Sequence, residues 1–268
     1  MRTSNPAFSN KNAFGVADWN ELGAVGAPPE AAGGQRRMTV QGTVNASFIL
    51  ITTTIAAAMA AWYVVQNSIA SPAVVGLGGL GVGFVCALIM WFSPRSSVAL
   101  AWPYAIGQGA FLAVLSMFVE NRLAAKIGAA AASGIVFQAI MLTFGIFFSL
   151  LIAYKFRIVR VGAGMRAGII AATGGLCLLY LVNFAMTMFN LGSIGFIHSS
   201  GPWGIGFSIV VVILASLNLV LDFQNIEEAA EHNAPKYMEW YCSFALLATL
   251  VWLYVEVLRL MAKLADRK

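Results

Sequence analysis

The run Phe207-Ser208-Ile209-Val210-Val211-Val212-Ile213-Leu214-Ala215-Ser216-Leu217-Asn218-Leu219-Val220-Leu221 decides the fold. It is apolar on every side and does not alternate with period two, so it reads as a lipid-embedded helix rather than a barrel strand. Comparable blocks lie near 44–65, 73–92, 99–119, 134–154, 167–189, 205–224 and 240–260. Each is close to the roughly 20 residues that carry a helix across about 30 Å of hydrocarbon. The chain is 60% hydrophobic and only 10% charged, whereas soluble domains carry about a quarter charged residues. A soluble enzyme, a disordered chain and a collagen-like repeat are therefore excluded. The expected fold class is an all-α integral membrane protein with seven transmembrane helices.

Three segments follow: a polar tail over 1–43, the membrane domain over 44–262, and a short basic tail over 263–268. The first tail carries Asn5-Pro6, Pro28-Pro29 and Gly33-Gly34 and no apolar signal-peptide core, so the first span is expected to direct insertion. Lys and Arg counts set the orientation. With the N terminus inside, ten basic residues face the cytoplasm: Arg2, Lys11, Arg36 and Arg37, then Arg95, then Lys155, Arg157, Arg160 and Arg166, then Lys236. Only Arg122 and Lys126 fall in the outside loops. The basic C-terminal end opposes this pattern, leaving two options: seven full spans, or a re-entrant last segment. A formal charge of +5 would suit nucleic acid in a soluble chain, but here the cations sit between apolar blocks, so no nucleic-acid partner is expected.

Most motifs read as packing. Gly76-Leu77-Gly78-Gly79-Leu80-Gly81 matches GxGxxG, yet it lies inside a span and includes the small-xxx-small pair Gly79 and Gly83, which favours close helix contact over dinucleotide binding. Cys86, Cys177 and Cys242 lie in separate apolar runs without metal or disulfide spacing. His198 and His232 have no neighbouring ligand set. No catalytic residues and no resident cofactor are expected.

The informative residues are carboxylates at membrane depth, where insertion costs about 2.5–3.5 kcal/mol each. Asp222 follows the apolar run above, and Glu256 sits in Trp252-Leu253-Tyr254-Val255-Glu256-Val257-Leu258. Asn218, Asp222 and Asn225 form one polar stripe at helical spacing, and Thr249 shares a face with Glu256. Blander readings stay open: Asp222 as the wet end of its helix, Glu256 paired with Arg259 at i+3. Glu227, Glu228, Glu231 and Glu239 crowd the following connection, either as a solvated helix extension or as a cation-concentrating mouth.

The run Leu217-Asn218-Leu219-Val220-Leu221-Asp222-Phe223-Gln224-Asn225-Ile226, followed by Trp252-Leu253-Tyr254-Val255-Glu256-Val257-Leu258-Arg259-Leu260, resembles the last two helices of the Bax inhibitor-1/YccA family. Met1-Arg2-Thr3-Ser4-Asn5-Pro6 and Met38-Thr39-Val40-Gln41-Gly42-Thr43 resemble a bacterial branch of it, which implies a multi-pass protein of the bacterial inner membrane. The resemblance also implies six helices around a central C-terminal seventh. It implies a pH-sensitive calcium leak, with calcium as permeant ion and transient ligand of Asp222 and Glu256 sharing a proton. Arg95 stands near the position of the family's partner arginine and is the candidate latch, with Asn218, Asn225 and Arg259 as supporting polar residues.

Two carboxylates close together in a low-dielectric site do not both ionise easily, so protonation of such a pair would bias packing. If the sixth helix runs about 10 residues past Asp222, however, Glu256 lies about 15 Å from it in depth. The alternative function is a non-conducting regulator that binds a membrane-bound protease or another membrane complex through the N-terminal tail. A proton-coupled transporter is a weaker third, since no inverted repeat is evident.

Overall fold

A computed structural model describes residues 37–159, 161–189, 195 and 199–267. The tail before Arg37, with its role as a docking handle, lies outside the described residues, as do Arg160 and His198. Among the described residues seven long helices follow one another: α1 (Val40–Gln66), α2 (Pro72–Phe92), α3 (Ser97–Ile127), α4 (Ala129–Lys155), α5 (Ala163–Met188), α6 (Pro202–Glu231) and α7 (Met238–Asp266). All seven are long and apolar enough to cross a membrane. The molecule is an all-α, seven-helix membrane protein.

Local chemistry sets the boundaries. Thr39 caps α1 by accepting from the Gly42 amide at 3.0 Å, and Ser71 caps α2, which opens on Pro72, where a missing N–H costs nothing. Gly128, at φ 88°, makes the tight reversal between α3 and α4 that an L side chain would resist. Two boundaries differ from the hydropathy reading. The first helix starts at Val40, because the Thr39 cap extends it beyond the apolar block. The last continues to Asp266, so Lys263 belongs to a helix and not to a tail.

Helix α7 is the core. Half of its most apolar window is buried, against 11–39% for the other six helices. Leu250, Leu253, Val257 and Leu258 pack with Leu219 and Phe223 of α6 and with Val136, Ala139 and Phe147 of α4. Helices α1, α3, α4 and α6 lie directly against it. Helix α2 forms an outer layer on α3, and α5 leans on α6 while sending Tyr180 inward to α7.

Lipid supplies no hydrophobic drive between helices, so close approach matters. A Cβ on Gly79 would stand 2.5 Å from the Gly107 carbonyl oxygen, whereas Gly78 and Gly81 face open space. The glycine motif is a helix-packing seam between α2 and α3. A 420 Å³ cavity, walled almost entirely by apolar side chains of α1, α3, α4 and α7, reaches the surface beside Ile55, Met59 and Ile140.

The start of α1 and the end of α7 lie on opposite faces. Met38 donates its amide to the Ala234 carbonyl at 2.8 Å, which places the start of α1 beside the α6–α7 connection. At the other end of the bundle Lys126, in the last turn of α3, pairs with Asp266. Helix α7 is one continuous helix antiparallel to α6, so the re-entrant option is corrected in favour of a seventh full span.

Candidate functional site

Helix α6 runs nine residues beyond Asp222, to Glu231, before residues 232–237 turn the chain into α7. This hairpin puts Asp222 level with Thr249, whose hydroxyl faces its carboxyl group, and near the Cys242 thiol. The Thr249 hydroxyl itself donates to the Ala245 carbonyl at 3.2 Å. The Oδ2 atom of Asp222 is buried and has no hydrogen-bond partner among the described residues. A buried carboxylate oxygen without a donor loses its hydration and gains nothing in return.

Glu256 lies seven residues further along α7, a rise of about 10 Å. It is 1% exposed and fully engaged. Nη1 of Arg259 donates to both its carboxylate oxygens at 3.1 Å, and the Tyr180 hydroxyl of α5 donates to Oε1 at 3.1 Å. Arg259 also donates to the Tyr180 oxygen at 2.7 Å and lies 5.2 Å from the centre of its ring. The expected proton-sharing pair is therefore corrected. Asp222 and Glu256 share no hydrogen bond, because the short α6–α7 connection fixes their levels two turns apart.

Three supporting residues also differ from expectation. Arg95 is exposed in the turn between α2 and α3, 6.0 Å from the Tyr237 ring centre, and is no latch for either carboxylate. Asn218 donates to Thr173 of α5 at 2.8 Å, and Asn225 accepts from Arg166 of α5 at 2.7 Å. Both therefore moor α5 rather than support Asp222. Arg259 is the arginine that meets a membrane-depth carboxylate, by the i+3 pairing with Glu256 that helical spacing allowed.

The acidic run is mostly committed to structure. Glu227 accepts from Tyr154, and Arg166 donates to Glu228 at 3.0 Å. Glu239 is 4% exposed; the amide and hydroxyl of Thr39 donate to it at 3.0 and 3.1 Å, and Lys236 pairs with it at 3.2 Å. A Cβ on Gly42 would overlap the Glu239 carboxylate, so any side chain there would displace that carboxylate.

Sequence reading missed Glu239 and Lys263 as buried charged residues and the half-buried Tyr180 as a partner of Glu256. Tyr180 carries no sequence signal, since only the fold brings it to α7. Lys263 had one: it follows Arg259 by one turn, on the same face. No curated protein and no solved structure matches the chain. A family model described as Bax inhibitor 1 like matches residues 5–266.

Proposed function

The chain belongs to the Bax inhibitor 1 like family, and from that premise we propose that this seven-helix membrane protein is a proton-sensitive cation leak, with calcium as the permeant ion, in a bacterial inner membrane with its N terminus in the cytoplasm. The observation that carries the reading is the buried, unpartnered Oδ2 of Asp222. A proton or a passing cation supplies the interaction that the protein withholds there. One carboxylate with a nearby hydroxyl falls far short of the six to eight oxygens of a calcium cage. Such a site suits an ion that must also leave.

Glu256 has a different part. With Arg259 and Tyr180 it ties α5 to α7 by hydrogen bonds among three side chains. A cation moving along α7 from Asp222 towards Asp266 meets the Arg259 guanidinium, so the triad acts as a closed latch. Opening requires Tyr180 and Arg259 to separate. In this reading Asp222 senses the proton and the Glu256 triad blocks the path, in place of one shared-proton pair.

Calcium flux into proteoliposomes, measured from acidic to alkaline buffer, tests this. Asp222→Asn should flatten the pH response, and Glu256→Gln should raise basal flux while leaving that response in place. A wild-type pH profile in Asp222→Asn would remove the sensor. Absence of any calcium flux in the wild type would leave the protease-regulator alternative.

A further inference from the structure

A second cavity, of 410 Å³, lies between the C-terminal halves of α3 and α7, with Ser200 on its wall. Four of its lining side chains are cationic, Arg122, Lys126, Arg259 and Lys263, and one, Asp266, is anionic. We propose that this cavity binds an anionic phospholipid, with the lipid phosphate held at Arg122 and an acyl chain against the inner wall.

The charges within it are unevenly matched. Asp266 is taken by Lys126 and Ser200, and Arg259 is turned to Glu256. The Arg122 guanidinium lies 4.8 Å from the Phe118 ring centre and makes no ion pair among the described residues. Lys263 is 6% exposed and donates to the Gly204 carbonyl at 3.0 Å and to the Ser208 hydroxyl at 2.8 Å. Arg122 is therefore exposed at this cavity without a protein counter-charge among the described residues, the place a lipid phosphate would fill.

The polarity is graded along the two helices. Leu115 and Phe118 of α3 and Val255 and Leu258 of α7 line the inner part, one to three turns nearer the bundle centre than Lys126 and Lys263. Cations outermost and apolar side chains innermost match a phosphate joined to a hydrocarbon chain. A free phosphate would leave that apolar wall unused. Helix-dipole compensation accounts for cations near the ends of α3 and α7, but not for a cavity with apolar walls between them. The proposal is independent of the leak reading, since it uses neither Asp222 nor ion flux.

Native mass spectrometry of the detergent-purified full chain tests it, with phosphatidylglycerol, phosphatidylcholine and inorganic phosphate as separate probes. The wild type should retain phosphatidylglycerol over phosphatidylcholine by about five-fold, and added salt should erode that preference. Arg122→Gln should bring the ratio close to one, and Arg122→Lys should keep most of it. Equal retention of both lipids by the wild type, or an unchanged ratio in a folded Arg122→Gln protein, would overturn the proposal. Protection from thermal unfolding by inorganic phosphate alone, equal to that given by phosphatidylglycerol, would make this a free-anion site and overturn the lipid assignment. Should Arg122→Gln not fold, the wild-type lipid ratio and its salt dependence still decide.

Discussion

Asp222 lies level with Thr249, two turns of α7 short of Glu256, so the two membrane-depth carboxylates occupy separate environments. One has an oxygen without a partner and the other is saturated with donors. They are electrostatic neighbours at most, not a dyad.

Separate environments predict additive substitutions. In chemical unfolding of the detergent-solubilised protein, the effects of Asp222→Asn and Glu256→Gln should sum to within about 0.5 kcal/mol. A coupling energy above about 1 kcal/mol would reinstate a shared proton.

Asp222→Asn alone should stabilise the fold in alkaline buffer. Burial penalises the charged form, and the amide removes that charge while keeping the shape. The gain should vanish in acidic buffer, where the wild-type carboxyl group is itself neutral. Thermal unfolding of both proteins across pH checks this, and a gain that grows on acidification would contradict it.

The latch should respond in graded fashion. Tyr180→Phe removes one hydroxyl that both donates to Glu256 and accepts from Arg259, at a cost of about 1 kcal/mol. Glu256→Gln should cost more, about 2 kcal/mol, because it removes the counter-charge of a partly exposed Arg259. If α5 is held shut by this triad, both variants raise basal flux in that order.

Gly42→Ala tests the tie between α1 and α7. The added methyl group must displace the Glu239 carboxylate from Thr39, which should cost about 1–3 kcal/mol. Hydrogen exchange should quicken at Met38 and Thr39, whose amides donate to Ala234 and Glu239. Unchanged protection there would show that the contact is dispensable.

Opposite faces for the two ends predict opposite labelling. Single cysteines at Arg37 and at Arg267 should react with a membrane-impermeant thiol reagent from opposite sides of oriented vesicles. Labelling of both from one side would restore the re-entrant seventh segment.

The fold was legible because lipid leaves backbone few choices: seven apolar runs of spanning length had to be helices. The glycine seam was legible too, since small residues at i, i+3 and i+7 on α2 have little use except close packing. The site was only half legible. Helical spacing allowed the Glu256–Arg259 pair, but the level of Asp222 depended on where α6 stopped, and that was set by the turn at 232–237. The polar stripe Asn218, Asp222 and Asn225 divides between two neighbours, the asparagines meeting α5 and Asp222 meeting Thr249 of α7, because a face in sequence does not say which neighbour it meets. Arg95 failed as a latch because nearness in sequence to the end of α2 left it outside the bundle, over Tyr237.

The apolar cavity between α1 and α4 has a practical consequence. Through it the surrounding medium touches Leu250 and Tyr254 of the innermost helix, so changing detergent or acyl-chain length alters the solvent of the core as well as that of the perimeter. Activity compared between micelles of different tail bulk would then be comparing differently filled proteins.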